Sequence, residues 1–220
     1  MLKTFATATL AAIVGGSAFA AAELAVTETY IGVSGDDITE DWFELTNVGD
    51  MAFDLTLTPL WYDDESADTS VADPISGITS IAAGESVVIV LGTATDATDF
   101  ASAWTPGLGA TQVGYADGAG LGQSGDTINI FDDISGLGSI IATSTYASGD
   151  VDDGKTINFL DGSVFNSELG DVLGSYEAPG GPGGDFGEFP LIGNPGAIPE
   201  PATLALLGLG GLLAARRRRG

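Results

Sequence analysis

The sequence predicts an all-β fold, an antiparallel β-sandwich, with a signal peptide before it and a short C-terminal transmembrane helix after it. Three observations point there. Runs of Val, Ile, Thr and aromatic residues recur at short intervals and end at Gly, Asn or Asp, the composition of strands joined by tight turns. Several of these runs alternate apolar and polar residues, which is the strand period. Lys and Arg are scarce beside Gly, Thr, Ser, Val and Ile, a balance that disfavours helix. The chain divides into a signal peptide at 1–22, the sandwich at 23–178, a Pro/Gly-rich tether at 179–197 and a tail at 198–220.

At the N-terminus, Lys3 supplies a positive charge and Phe5 to Val14 is largely apolar. Ala18-Phe19-Ala20 is a small-x-small cleavage site, with Ala20-Ala21-Ala22 as the alternative. Cleavage after Ala20 or Ala22 leaves a mature chain beginning at Ala21 or Glu23. The Sec translocon and signal peptidase are the partners this segment implies.

The elements of the body follow in order. Leu24 to Ile31 and Trp42 to Thr46 read as strands, the second ending in the turn composition of Asn47-Val48-Gly49-Asp50. Phe53, Leu55 and Leu57 alternate with Asp54, Thr56 and Thr58, which predicts a half-buried strand. Ser86 to Leu91 is a continuous apolar run after the turn at Ala82-Ala83-Gly84-Glu85, as in a central strand buried on both faces. Asp96 to Trp104 has the spacing of one short helix. Gly118 to Gly125 is a loop, Asp126 to Phe131 alternates again, and Ser139 to Tyr146 is a further strand. Thr156 to Leu160 is expected as a final edge strand, followed by a turn at Asp161-Gly162. Trp42 is expected in the core.

From Ala178 to Ala197 the chain is rich in Pro and Gly, a flexible tether by composition. Then come Ile198-Pro199-Glu200-Pro201, the uncharged Ala202 to Ala215, and Arg216-Arg217-Arg218-Arg219. At about 1.5 Å per residue the uncharged stretch spans roughly 21 Å as a helix, short of a hydrocarbon core of about 30 Å. The four arginines hold the C-terminus on the cytoplasmic side. This order of parts resembles the PEP-CTERM sorting tail of Gram-negative bacteria. The resemblance implies an exported protein that pauses in the inner membrane. An exosortase-type enzyme then recognises it at Pro199, Glu200 and Pro201 and passes it to the cell surface or extracellular matrix.

A second resemblance concerns the body. Val26-Thr27-Glu28 followed by Trp42-Phe43-Glu44-Leu45-Thr46-Asn47 is similar to the "I-x-E" and "W-x-E-L-x-N" opening of the lamin-tail domain. Ile81 to Val90 resembles that domain's "aGe" strand with its apolar run, and Ser124 to Asp132 its "sGD" strand. The similarity covers residues 24–147. It implies an immunoglobulin-like β-sandwich, serving as a binding or structural module without catalytic residues. The acidic insert from Tyr62 to Ala72 departs from that pattern, and Thr145-Tyr146 lacks its usual ending.

Charge and missing residue types exclude several functions. The chain has 6 Lys and Arg, 31 Asp and Glu, no His and no Cys. Only Lys155 lies between Glu23 and Glu200, the span that holds all 31 acids, so the exported part carries about −30. Such a surface repels nucleic acid and anionic lipid. Without His or Cys there is no Ser-His-Asp or Cys-His arrangement and no His/Cys zinc site. No phosphate-cradling Gly-x-x-x-x-Gly-Lys is present. Two acids about 5 to 10 Å apart are all that glycoside hydrolysis requires, yet among so many acids a solvated surface is the simpler reading. The sequence therefore predicts no enzyme.

No cofactor is expected, and calcium is the one candidate ion. Asp150, Asp152 and Asp153 surround a turn that ends at Gly154, and Asp63, Asp64, Glu65 and Asp68 form a second acidic cluster. Hard cations take such oxygen ligands. Trp61, Tyr62 and Trp104 are aromatics that would stack on sugars if exposed. The expected function is that of an exported, non-enzymatic, structural or adhesive protein of the surface or matrix, in contact with exopolysaccharide. The alternative is a calcium-dependent polysaccharide-binding module.

Overall fold

A computed structural model of the chain describes residues 21–32, 41–135, 139–160, 162–171, 173–179 and 191–197. Among the described residues the body is all-β apart from one helix and a single turn of 3-10 helix at Ser148–Asp150. In chain order the strands are β1 (Leu24–Tyr30), β2 (Trp42–Asn47), β3 (Phe53–Asp54), β4 (Trp61–Asp63), β5 (Asp73–Pro74) and β6 (Ser80–Ile81). After β7 (Ser86–Leu91) comes α1 (Ala94–Trp104), then β8 (Gln112–Ala116), β9 (Gly125–Phe131) and β10 (Ile140–Ala147). The last are β11 (Ile157–Leu160), β12 (Ser163–Asn166), β13 (Tyr176–Glu177) and β14 (Ile192–Gly193).

A six-stranded sheet, ordered β12-β11-β1-β2-β7-β8, forms the centre. Strand β7 is buried along its whole length because both of its faces are covered. Val87, Ile89 and Leu91 point to one side, where they meet Phe43, Leu45 and the inner residues Tyr62, Ile128 and Ile130 of a four-stranded sheet, β10-β9-β4-β5. Val88 and Val90 point to the other side, against Trp42 and the helix residues Phe100 and Trp104. Each such fully buried apolar side chain contributes about 1.5–3 kcal/mol.

Helix α1 starts at a capping box in which Thr93 accepts from the N–H of Thr95 and Asp96 accepts from the N–H of Thr93. Its apolar face, Ala97, Phe100, Ala103 and Trp104, closes the second core cluster. Trp42 packs edge-on against both Phe100 and Trp104.

The structure corrects the sequence reading in several places. Pair β7–β8 is parallel, whereas an antiparallel sandwich was expected. The helix between these strands carries the chain back across the sheet, so β8 runs in the same direction as β7. Only Phe53–Asp54 of the expected Phe53–Thr58 strand pairs. Asp54 accepts from the N–H and hydroxyl of Thr56, which bends the chain into a turn and leaves Leu57 80 % exposed. Strand β11 is interior, because β12 folds back on it and takes the edge. The tether expected over 179–197 is shorter than its composition suggests. Leu191 and Ile192 are buried and β14 pairs with β13, so residues 191–197 belong to the folded body.

Residues 1–20 of the expected signal peptide, Ala20 included, the sorting motif Pro199, Glu200 and Pro201, and Arg216 to Arg219 lie outside the described residues; Ala22, the alternative cleavage position, is described, and Ala21 beside it bonds Asp50 at 2.8 Å. Among the described residues no helix is long and apolar enough to cross a membrane.

Candidate functional site

The helix-side face of the central sheet changes character part way along. Tyr30, Trp42, Val88 and Val90 make one half apolar. The other half carries two carboxylates, Glu28 and Glu44, which are direct cross-strand partners on β1 and β2. The register shifts between Val26 and Glu28, so Thr27 is an extra residue beside Glu28, opposite Glu44. That bulge brings the Thr27 hydroxyl onto Glu44 Oε1.

Both glutamates are out of contact with solvent, Glu28 at 0 % and Glu44 at 1 % exposure. Burial pushes the Glu44 carboxyl up to about 7 against the lowering effect of its hydrogen bonds. Burial raises Glu28 well above the usual carboxylate range, and the neighbouring Glu44 charge raises it further.

The partners of this pair come from distant parts of the chain. Glu28 Oε1 accepts from the Thr156 hydroxyl and, at 2.8 Å, from the backbone N–H of Asn194. Glu44 Oε2 accepts from the N–H of Gly196 at 2.6 Å. Thr46 adds a long contact to Glu44 and pairs with Ser86 at 2.6 Å. Around Asn194 lie Ser167, 2.7 Å from Thr156, and Ser175, whose hydroxyl donates to Asp171 at 2.7 Å. Glu28 Oε2 has no hydrogen-bond partner, nor have Trp42 Nε1, Trp104 Nε1 and the Tyr176 hydroxyl.

The C-terminal segment is seated by main-chain bonds as well. The N–H of Thr156 donates to Ile192 O at 2.9 Å, that of Ile192 to Gly154 O at 2.7 Å, and that of Ala178 to Leu191 O at 2.9 Å. Glycine is required at 193, where a Cβ would stand 2.6 Å from Thr156 Cγ2 and 3.0 Å from Glu28 Oε1. The arrangement holds backbone. With both carboxyls sealed from solvent, it presents no surface to a substrate.

The calcium candidates are engaged in local structure. Asp150 accepts from the N–H of Ala147, Asp152 pairs with Lys155 at 2.8 Å, and Asp153 is exposed. In the other cluster Asp63 accepts from Ser66 and the N–H of Asp68, while Asp64 and Asp68 each close a turn onto the next serine. Among the described residues no three such side chains gather to hold a metal ion. Trp104 and Tyr62 are core residues, which removes both as sugar-stacking surfaces; Trp61 is half-buried.

Sequence reasoning quoted Glu28 and Glu44 within motifs but gave them no role. The available signal was two carboxylates, flanked by Thr27 and Thr46, inside runs otherwise suited to a buried strand.

Residues 197–219 match the PEP-CTERM protein-sorting motif. No curated protein and no solved structure matches the chain. The motif match supports export to the cell envelope and sorting by an exosortase-type enzyme.

Proposed function

We propose that this chain is an exported, non-enzymatic protein of the cell surface or extracellular matrix of a Gram-negative bacterium, with a structural or adhesive role. The observation that carries the reading is the sorting-motif match over residues 197–219. On this reading the Sec route delivers the chain and the tail holds it in the inner membrane. The sorting enzyme acts at Pro199-Glu200-Pro201, where two rigid prolines present the Glu200 carboxylate in a fixed, extended backbone.

The body is an immunoglobulin-like sandwich of the lamin-tail kind. In support, the four sequence motifs lie on β1, β2, β7 and β9, strands of two sheets that share one core. Absence of His and Cys from the whole chain supports the non-enzymatic reading, as does the sealing of the Glu28–Glu44 pair away from solvent. The calcium-dependent alternative has less behind it, because Asp150 and Asp152 are engaged by Ala147 and Lys155.

The test is the intact mass of the protein recovered from envelope and medium of its native host, for wild type and Glu200→Ala. Wild type is expected to end near Pro199-Glu200-Pro201. The variant is expected to retain Arg216 to Arg219. A wild-type mass that includes the arginines, or normal processing of the variant, overturns the assignment.

A further inference from the structure

We infer that Glu28 and Glu44 are positioning residues for the sorting motif: they lock residues 191–197 onto the central sheet and so fix where Pro199-Glu200-Pro201 stands relative to the folded body. The inference rests on the sorting reading above and adds the device that presents the motif. Its basis is geometric. The two carboxyls each hold one backbone N–H of the segment, Asn194 and Gly196, and among the described residues these are the side-chain hydrogen bonds that span furthest along the chain. Asn194 also carries the turn whose last bond is Ala197 N–H to Asn194 O.

Chain reach gives the lock its consequence. At most about 3.6 Å per residue separates Ala197 from Pro199, so the motif stands within ~7 Å of the last seated residue, and the apolar tail begins within ~18 Å. Released back to Ala178, the same motif would stand on 21 residues, with a root-mean-square reach of roughly 25 Å. Seated and released segments therefore present the motif to a membrane-bound enzyme at different distances from an acidic body.

The lock responds to pH with a definite sign. Folded-state protonation of both carboxyls is favoured by burial, which takes Glu44 to about 7 and Glu28 well above its ordinary value. Release of the segment would admit water to both carboxyls and relieve the burial that raises them. The seated form thus binds more protons, and its advantage falls as pH rises from 4.5 through 7 and above. Charged neighbours work with burial, and the hydroxyl and N–H donors bonded to the pair work against it without overcoming it. Asp171, on the loop before β13, raises Glu28 further, and burial and the Glu28 charge keep the Tyr176 phenol neutral, pushed up to about 12. Lys155, next to β11, is occupied by Asp152 and Glu168. On β7 the nearest contribution is the Ser86 hydroxyl.

Hydrogen exchange on the full chain in detergent micelles tests the lock. Amides of Asn194 and Gly196, corrected for intrinsic rate and referred to amides of β7, are followed from pH 5.5 to 8.5. Wild-type protection is expected to fall at least tenfold relative to β7, and the Glu28→Gln/Glu44→Gln variant, which mimics the protonated pair, is expected to stay flat. Amides without protection at any pH, or an equal fall in wild type and variant, overturn the lock. Should the variant fail to fold, wild type alone decides, and protection that tracks β7 throughout overturns it. Processing in the host is read separately by intact mass. A wild-type chain never cut near the motif overturns the sorting reading. Unprotected Asn194 and Gly196 in a chain that is cut overturn the lock alone.

Discussion

Two halves of one sheet face are closed by different physics. Under α1, Tyr30, Trp42, Val88 and Val90 meet Phe100 and Trp104 in an apolar cluster. Beside it, Glu28 and Glu44, with Thr27, Thr46, Ser86 and Thr156, meet the backbone of the C-terminal segment. Both halves exclude water. Burial stabilises the first at any pH. The second depends on donors finding acceptors and on two protons staying in place. A fold that needed only stability would have continued the apolar pattern, since replacing buried polar groups by apolar ones of similar shape is often neutral or stabilising. The polar half specifies one seating of one segment.

The comparison is broken most severely from its apolar side. Trp42→Ala removes the largest buried side chain at the helix contact and is expected to lower stability by ~4 kcal/mol, with the same loss at pH 5 and pH 8. Denaturant unfolding at the two pH values checks this, and a loss confined to one pH would merge the two halves into a single unit.

The polar half is expected to show the pH dependence that the apolar half lacks. Glu44 keeps its proton in the folded state up to about 7 and loses it near 4.5 when unfolded. Unfolding therefore releases a proton between these values, and stability falls as pH rises through that window. At 1.36 kcal/mol per unit the loss is at most roughly 3 kcal/mol for this group. Single Glu44→Gln and Glu28→Gln variants are each expected to flatten the curve, so that both exceed wild type in stability at pH 8. Thermal melts from pH 4.5 to 8.5 measure this, and wild-type stability that climbs with pH would reverse the assignment.

The smallest expected effect sharpens the apolar side. Thr93→Ala removes the side chain that caps α1 and is expected to cost about 1 kcal/mol. Exchange at Asn194 and Gly196 should stay unchanged, because the cap touches the helix and not the segment.

How much of this was legible in the sequence depends on where the causes lie. Strands β2, β7 and β9 are visible because local pattern and burial agree, and β7 reads as a continuous apolar run because a layer covers each face. Helix α1 is visible from the spacing of Phe100, Ala101 and Trp104. Strand β14 is hidden because two apolar residues, Leu191 and Ile192, sit in a Pro/Gly-rich stretch, and only pairing with β13 makes them a strand. The role of the glutamates is hidden for a stronger reason. Glu28 binds Asn194 across 166 positions, and Glu44 binds Gly196 across 152. No local pattern encodes such a contact. The sorting tail is the opposite case, since its recognition depends on the order of a few adjacent residues.

The seating of residues 191–197 also decides how the body bears mechanical load. A pull on the C-terminus, as from an anchored chain in flowing water, arrives first at Gly196 and Asn194 and at the two-residue pairing of β13 with β14. Loss of these bonds and of those from Ile192 to Gly154 and Thr156 frees 19 residues beyond Ala178, a contour of about 65 Å at full extension. Load on the C-terminal end therefore enters the core through Glu28 and Glu44 while the segment is seated, and only through Ala178 once it is drawn out.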